Sequence, residues 1–182
     1  MLEKKLHPLS LKQIQIEDAF WKEYMELVRN HVIPYQWEAL NDRIKEAEPS
    51  YCIQNFRVAA KLEEGSFQGM VFQDSDVYKW LEAVAYSLMW HPDEKLEQTA
   101  DETIDLIAAA QQPDGYLDTY YIINGLEKRF TNLMDHHELY CLGHIRLRER
   151  ESFWMLLLLM PIVWQNIWEQ REARFRDIRD MR

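Results

Sequence analysis

Gly69-Met-Val-Phe-Gln-Asp-Ser-Asp-Val-Tyr-Lys-Trp80, running on through Leu81-Glu-Ala-Val-Ala-Tyr-Ser-Leu-Met89, is the stretch around which the rest of the chain is arranged. It reads as a loop rich in polar and aromatic groups that passes directly into an amphipathic helix over Val77–Trp90. Asp74, Ser75 and Asp76 stand at its start as candidate N-caps. Loops at the mouth of a rigid helical scaffold are where binding groups commonly sit. A capped helix with a solvated first turn is the plainer alternative.

Outward from this stretch the pattern is helix, loop, helix. On the C-terminal side, His91-Pro92 ends the first helix and Asp93 opens a second that runs to about Gln111, with Leu96, Thr99, Thr103, Ile104, Ile107 and Ala108 as its buried stripe. Pro113-Asp114-Gly115 marks a tight turn, because proline presets φ and glycine permits a positive one. Asp135 is placed to cap a further helix over His136–His144. On the N-terminal side, helices are expected over Asp18–Val32 and Tyr35–Glu46, with Pro34 breaking them, followed by a helix placing Ile53, Phe56 and Ala60 on one face. Leu9–Ile16 alternates apolar and polar positions, as a short extended arm does. The expected fold is all-α, built of helical hairpins stacked side by side.

Composition narrows the function. A net charge of −10 on 182 residues disfavours nucleic acid as a partner, since the polyanion would be repelled. Seven Trp and nine Tyr suit a large core and also suit stacking on the apolar faces of sugars. Cys52 and Cys141 fall in helix-like segments, which points to free thiols and a reducing compartment. The start of the chain lacks the apolar core of a signal peptide, and the longest apolar run, Phe153–Trp164, is interrupted by Pro161 and too short to span a bilayer. A soluble, cytoplasmic protein without a membrane partner is the expectation.

Beyond His144 the composition changes. Residues 145–182 hold eight of the twelve Arg, none of the nine Lys and none of the five Gly. Residues 1–144 carry 13 basic and 25 acidic side chains, a net of −12, whereas the remainder carries +2. Two readings stand: a genuine basic tail that engages something acidic, or a reading frame that slips just after His144. Reading allowed codons for Met160–Arg182 two bases later restores Gly and Pro punctuation, which favours the slip. The expected organisation is therefore one unit over 1–144 and an aberrant Arg/Trp-rich segment over 145–182.

Four motifs carry a family likeness: Val32-Ile-Pro-Tyr-Gln-Trp37 with Asn41-Asp42, Gly69–Glu82, Ala110-Gln-Gln-Pro-Asp-Gly-Tyr-Leu-Asp-Thr119, and His137-Glu-Leu-Tyr140 with Gly143-His144. In this order and spacing they resemble the N-terminal part of glycoside hydrolase family 127, the β-L-arabinofuranosidases. The resemblance covers about residues 8–144, and members of that family are several times longer. It implies part of an (α/α)6 barrel and retaining hydrolysis of terminal β-L-arabinofuranosyl residues. It also implies, for the intact enzyme, a cysteine nucleophile at a zinc ion and a glutamate acid/base. Those residues belong to later parts of the barrel, and Cys52 and Cys141 do not match them. On this reading the chain has no catalytic residue and no metal ligand of its own, and is expected to be inactive alone.

The histidine of the family's His-Glu-(Leu/Met)-Tyr motif contacts the sugar and maps onto His137. A sugar-contacting glutamine has no clear counterpart, because its loop is shortened around Ala47–Pro49. Phe72, Gln73, Asp74 and Trp80 are expected to line the same pocket, with Tyr116 and Asp118 at its rim. His137 is expected to donate a hydrogen bond to a sugar hydroxyl. The partner is then an L-arabinofuranosyl-containing sugar, and exposed barrel surface invites self-association. Two other readings are a small helical interaction protein acting through its C-terminal segment, and a metallohydrolase built on His137, Cys141 and His144, which recur at helical spacing.

Overall fold

The computed structural model describes residues 14–145. Residues 9–13 of the expected extended arm, and all of the Arg/Trp-rich segment after Ile145, lie outside them. Among the described residues there is no strand, and Ile14–Ile16 has no regular structure.

Helix α1, Ala19–Leu27, starts where the Asp18 carboxylate accepts a hydrogen bond from Trp21 N at 3.0 Å. Pro34 does not break the rod that α1 begins. A wide π-type turn over Val28–Val32 leads straight into α2, Ile33–Leu40, with Ile33 N bonded to Val28 O. A proline ring collides with the carbonyl four residues back, here that of Asn30, and the wide turn relieves this without ending the rod. The rod stops at Leu40, earlier than the sequence suggests. Asn41 Nδ2 bonds to Trp37 O, and Asp42, at φ 58°, accepts from Ser50 N and Tyr51 N.

Helix α3, Cys52–Ala59, buries Cys52, Ile53, Asn55, Phe56 and Ala59. The Asn55 amide is satisfied on both sides by Gln68, donating to its carbonyl at 2.9 Å and accepting from its N–H at 3.1 Å. This pair fixes the loop that leads to the next helix. Its turn is at Gly69, φ 80°, where a Cβ would collide with Gln73 Oε1. Glycine is favoured there by the positive φ, and the Gln73 side chain folds back over it to accept from Met70 N at 2.6 Å.

Helix α4, Asp74–Trp90, is the hub of the structure. It packs against α2, α3, α5 (Glu94–Ala110) and α7 (Glu138–His144). Trp80 is 2% exposed, lies stacked on Trp37 at 4.4 Å, and donates its indole N–H to Ile33 O at 3.1 Å. Burial of so large a ring with its one donor satisfied makes it a strong anchor between α2 and α4. Helix α4 ends at His91 and α5 is capped by Asp93, whose carboxylate accepts from Leu96 N, both as the sequence indicates. On α5 the expected Thr103, Ile104 and Ile107 are buried, joined by Ala100 and Ala110, while Leu96, Thr99 and Ala108 are half-buried. The Pro113–Gly115 turn forms with Gly115 at φ 84°. The sequence reading missed the short α6, Thr119–Asn124, which comes directly after and is capped by Asp118.

One element packs little. Helix α1 buries no residue. Its Phe20, Trp21 and Tyr24 rings, each half or more exposed, cluster on one another at 4.8 to 6.4 Å. Between α1 and the C-terminal half of α4 lies an almost wholly apolar cleft of about 530 Å³, bordered by Trp21, Tyr24, Ala83, Tyr86 and Trp90. No helix among the described residues is long and apolar enough to cross a membrane.

The Trp80 anchor is directly testable. Trp80→Phe removes the indole donor to Ile33 O and leaves a void, and the expected loss is about 1–3 kcal/mol. Urea unfolding followed by far-UV circular dichroism measures it; an unchanged midpoint would contradict the anchor role.

Candidate functional site

The start of α4 and the start of α7 are brought together by a layer of buried polar groups. Asp74 is 2% exposed, and its carboxylate accepts from Thr119 N at 2.7 Å and Thr119 Oγ1 at 2.6 Å. This ties α4 to α6 across 45 residues of sequence. Burial pushes Asp74 up to about 6 against the pull of those two hydrogen bonds, with Asp76 adding repulsion. Its neighbour Asp118 is pushed up to about 8, first by burial and then by the charge of Asp74. Asp118 Oδ1 caps α6 through Tyr121 N at 3.1 Å, while Asp118 Oδ2 and Ser75 Oγ have no partner among the described residues.

Glu138, 4% exposed, holds the far side of this layer. It accepts from Tyr116 OH at 2.6 Å and, through both oxygens, from Phe130 N at 3.0 and 2.9 Å. Burial raises its pKa and these hydrogen bonds oppose the rise. The Tyr116 hydroxyl is pushed well above its ordinary range by burial and by the Asp118 charge. Arg129 lies over the Tyr116 ring at 5.4 Å and pairs with Asp114. Burial works upward on Asp114, but the Arg129 hydrogen bond and charge, with Tyr116 N, hold its carboxyl below the usual range.

Above this layer a surface wall forms. His137 stands immediately before α7 in the left-handed conformation, φ 58°, and its Nδ1 lies 2.8 Å from Asp135 O. Phe72 tilts against it at 5.5 Å, and Tyr140 meets it edge-on at 5.9 Å. Tyr140 continues to His144 at 4.7 Å, and Lys79 Nζ sits 5.2 Å over the Tyr140 ring while pairing with Asp76 at 3.1 Å. An aromatic platform beside imidazole and ammonium groups can stack on an apolar sugar face and hydrogen-bond its hydroxyls.

Of the seven residues the sequence singles out, the structure brings Phe72 and His137 together at this surface. The other five are engaged in internal contacts. Gln73 bonds to the Gly69–Met70 turn, Asp74 to Thr119, and Tyr116 to Glu138. Trp80 is buried and stacked on Trp37. Tyr116 and Asp118, read as rim, are buried at 4% and 1% exposure. Asp74, Ser75 and Asp76 are also not caps: the helix begins at Asp74, whose carboxylate is turned inward to α6. Asp135 pairs with Asn132 rather than capping α7. The sequence reading passed over Lys79 as a wall residue. Its signal was the i, i+3 spacing from Asp76, which places both on one helical face.

The three-residue metal reading does not survive the geometry. Cys141 is buried, its thiol faces Phe72 O at 3.6 Å, and burial pushes it above its ordinary range, while His137 and His144 flank Tyr140 on the outside. Among the described residues no group of three or more His, Cys, Asp or Glu could hold a metal ion. Cys52 is likewise buried, with its pKa pushed up to about 12 by burial, so both thiols stay protonated and unreactive.

Helices packed about α4, with no strand among the described residues, are part of an (α/α)6 barrel-type fold, as in the solved glycosidase structures that superimpose on this chain. Residues 13–147 match the family model for the β-L-arabinofuranosidase GH127 catalytic domain, and the chain belongs to that family. A non-reducing end β-L-arabinofuranosidase of Bifidobacterium longum subsp. longum is 45% identical over 147 residues, covering 72% of this chain and 22% of that protein. The crystal structure of a GH127 β-L-arabinofuranosidase from Geobacillus stearothermophilus T6 superimposes with a TM-score of 0.76 at 54% identity, covering 80% of this chain and 24% of the other. A second solved structure, a GH127 β-arabinofuranosidase, gives 0.69 at 26% identity, covering 82% and 25%. The chain thus spans about a quarter of the length of these relatives.

The buried carboxylates predict a pH dependence of stability. A carboxyl whose pKa is raised on folding stabilises the fold fully below its unfolded value near 4 and loses that contribution as pH rises through its folded value. For Asp118 the window is about pH 4 to 8. The urea midpoint is expected to fall from pH 5 to pH 9, and Asp118→Asn, which keeps an acceptor for Tyr121 N, is expected to flatten that slope. An identical slope in the variant would rule out Asp118 as its source.

Proposed function

We propose that this chain forms part of the sugar-binding wall of a retaining β-L-arabinofuranosidase and does not hydrolyse glycosides by itself. The observation that carries the reading is the pairing of Phe72 with His137 at the surface, inside a segment matched by the family. His137 and Phe72 make the direct contacts with an L-arabinofuranosyl group; Gln73, Asp74, Tyr116 and Trp80 serve the site by fixing the elements that carry them. Retaining hydrolysis needs a nucleophile and an acid/base on opposite sides of the anomeric carbon. Cys52 and Cys141 are buried on different helices, and among the described residues neither belongs to a group of three or more potential metal ligands, so they do not fit a zinc-held nucleophile. The zinc and its ligands would be supplied by parts of the family domain that these residues do not span.

Two free buried thiols support a reducing, cytoplasmic setting. The exposed ring cluster of α1 supports self-association, and it is also what favours the second reading, a helical interaction protein.

The purified chain is expected to release no nitrophenol from p-nitrophenyl β-L-arabinofuranoside above the buffer rate, and to bind L-arabinose in the millimolar range by NMR titration, with at least a fivefold loss in His137→Ala. Turnover that persists in a Cys52→Ala/Cys141→Ala variant would overturn the division of labour. Absence of sugar binding in a well-folded chain would move the interaction reading forward. Size-exclusion chromatography with light scattering is expected to show a species larger than one chain, shifting to monomer in Phe20→Glu/Tyr24→Glu.

A further inference from the structure

We infer that His137 is presented as its Nδ1–H tautomer, so that Nε2 accepts a hydrogen bond from a ligand hydroxyl, and that Glu138 is the positioning residue that holds it so. This rests on the sugar-wall reading above and reverses the donor role expected from sequence. A backbone carbonyl can only accept, so the 2.8 Å contact between His137 Nδ1 and Asp135 O requires the proton on Nδ1. The other nitrogen of a neutral imidazole is then a lone pair, and Nε2 makes no hydrogen bond to the described residues.

The Asp135 carbonyl belongs to a segment pinned on each side. Asp135 is fixed by a reciprocal pair with Asn132, donating its N–H to Asn132 Oδ1 at 3.2 Å and accepting from Asn132 Nδ2 at 3.1 Å. His136 N bonds to Asn132 O at 3.1 Å, and its ring Nδ1 meets Tyr121 OH at 2.8 Å. Glu138 closes the other side. Its buried carboxylate gathers Phe130 N, at the start of the segment, and Tyr116 OH, from the connector after α5. Phe130 and His137 both adopt positive φ, 61° and 58°, a conformation uncommon for side-chain-bearing residues and costly above all for a bulky one such as Phe130. Glu138 follows His137 directly in the chain, so its bond to Phe130 N ties the two ends of the loop together and can impose it.

The experiment is the imidazole 15N spectrum of the labelled full chain, with His137 identified by the signal lost in His137→Gln. At a pH where the ring is neutral, His137 is expected to show the Nδ1–H pattern; the Nε2–H pattern would overturn the tautomer assignment. In Glu138→Gln, which offers one acceptor oxygen instead of two, the His137 signals are expected to move toward the Nε2–H pattern while far-UV circular dichroism stays the same. Retention of Nδ1–H there would overturn the positioning role. Should that variant not fold, Tyr116→Phe removes one donor from the same carboxylate, and a smaller shift in the same direction is expected; no shift counts against it. Titration with L-arabinose separates the two proposals. A change at Nε2 supports both, whereas an Nδ1–H tautomer that does not respond to saturating sugar overturns the sugar-wall reading and leaves the tautomer supported.

Discussion

The hydrogen bonding of the Asp74 carboxylate to Thr119 is the constraint on which the rest depends. A carboxylate this deep in a helical core is tolerated only where donors surround it, and Thr119 supplies two. Because Thr119 is the first residue of α6 and Asp74 the first of α4, the bond aligns the beginnings of two helices that share no sequence neighbourhood. Everything that forms the wall is placed relative to that junction. Phe72 precedes Asp74 by two residues, and the Tyr116 that anchors Glu138 precedes Thr119 by three.

The polar layer and the apolar core divide the labour. Stacking of Trp37 on Trp80, and the indole bond to Ile33, fix α2 against α4 on one side of the hub. Asp74, Asp118 and Glu138 fix α6, the loop and α7 on the other. The apolar side tolerates approximate shape, as cores do, whereas the polar side is held by directional bonds to Thr119, Tyr121, Phe130 and Tyr116 whose loss would be costly. A site that must hold an imidazole at a set angle is better built on the second kind of contact. Helix α1 belongs to neither side, and its bare aromatic face marks where this part of the barrel fold has packing capacity to spare.

Much of this was legible in the chain itself. Periodicity located α3, α4 and α5, because each buries a stripe at helical spacing. His91-Pro92, Asp93 and Pro113-Asp114-Gly115 marked their ends through local stereochemistry that does not depend on neighbours. The inferences that failed were those from a residue's local habit where a distant partner decided otherwise. Asp74 looked like a cap and became a cross-link, Pro34 looked like a break and was absorbed by a wide turn, and the six-residue α6 was too short to show a period.

The four motifs, read in order, determined the family, since spacing of that specificity can be read from the chain alone. They also singled out His137 and Phe72. Only the tertiary structure decided that these two share a surface while Trp80, Asp74 and Tyr116 lie beneath it. Whether an aromatic or a carboxylate faces outward depends on the element that packs over it. For Trp80 that element is α2, and for Asp74 it is α6, each more than 40 residues away. The proton on His137 was decided in the same way, by the acceptor that the loop's own folding places beside Nδ1.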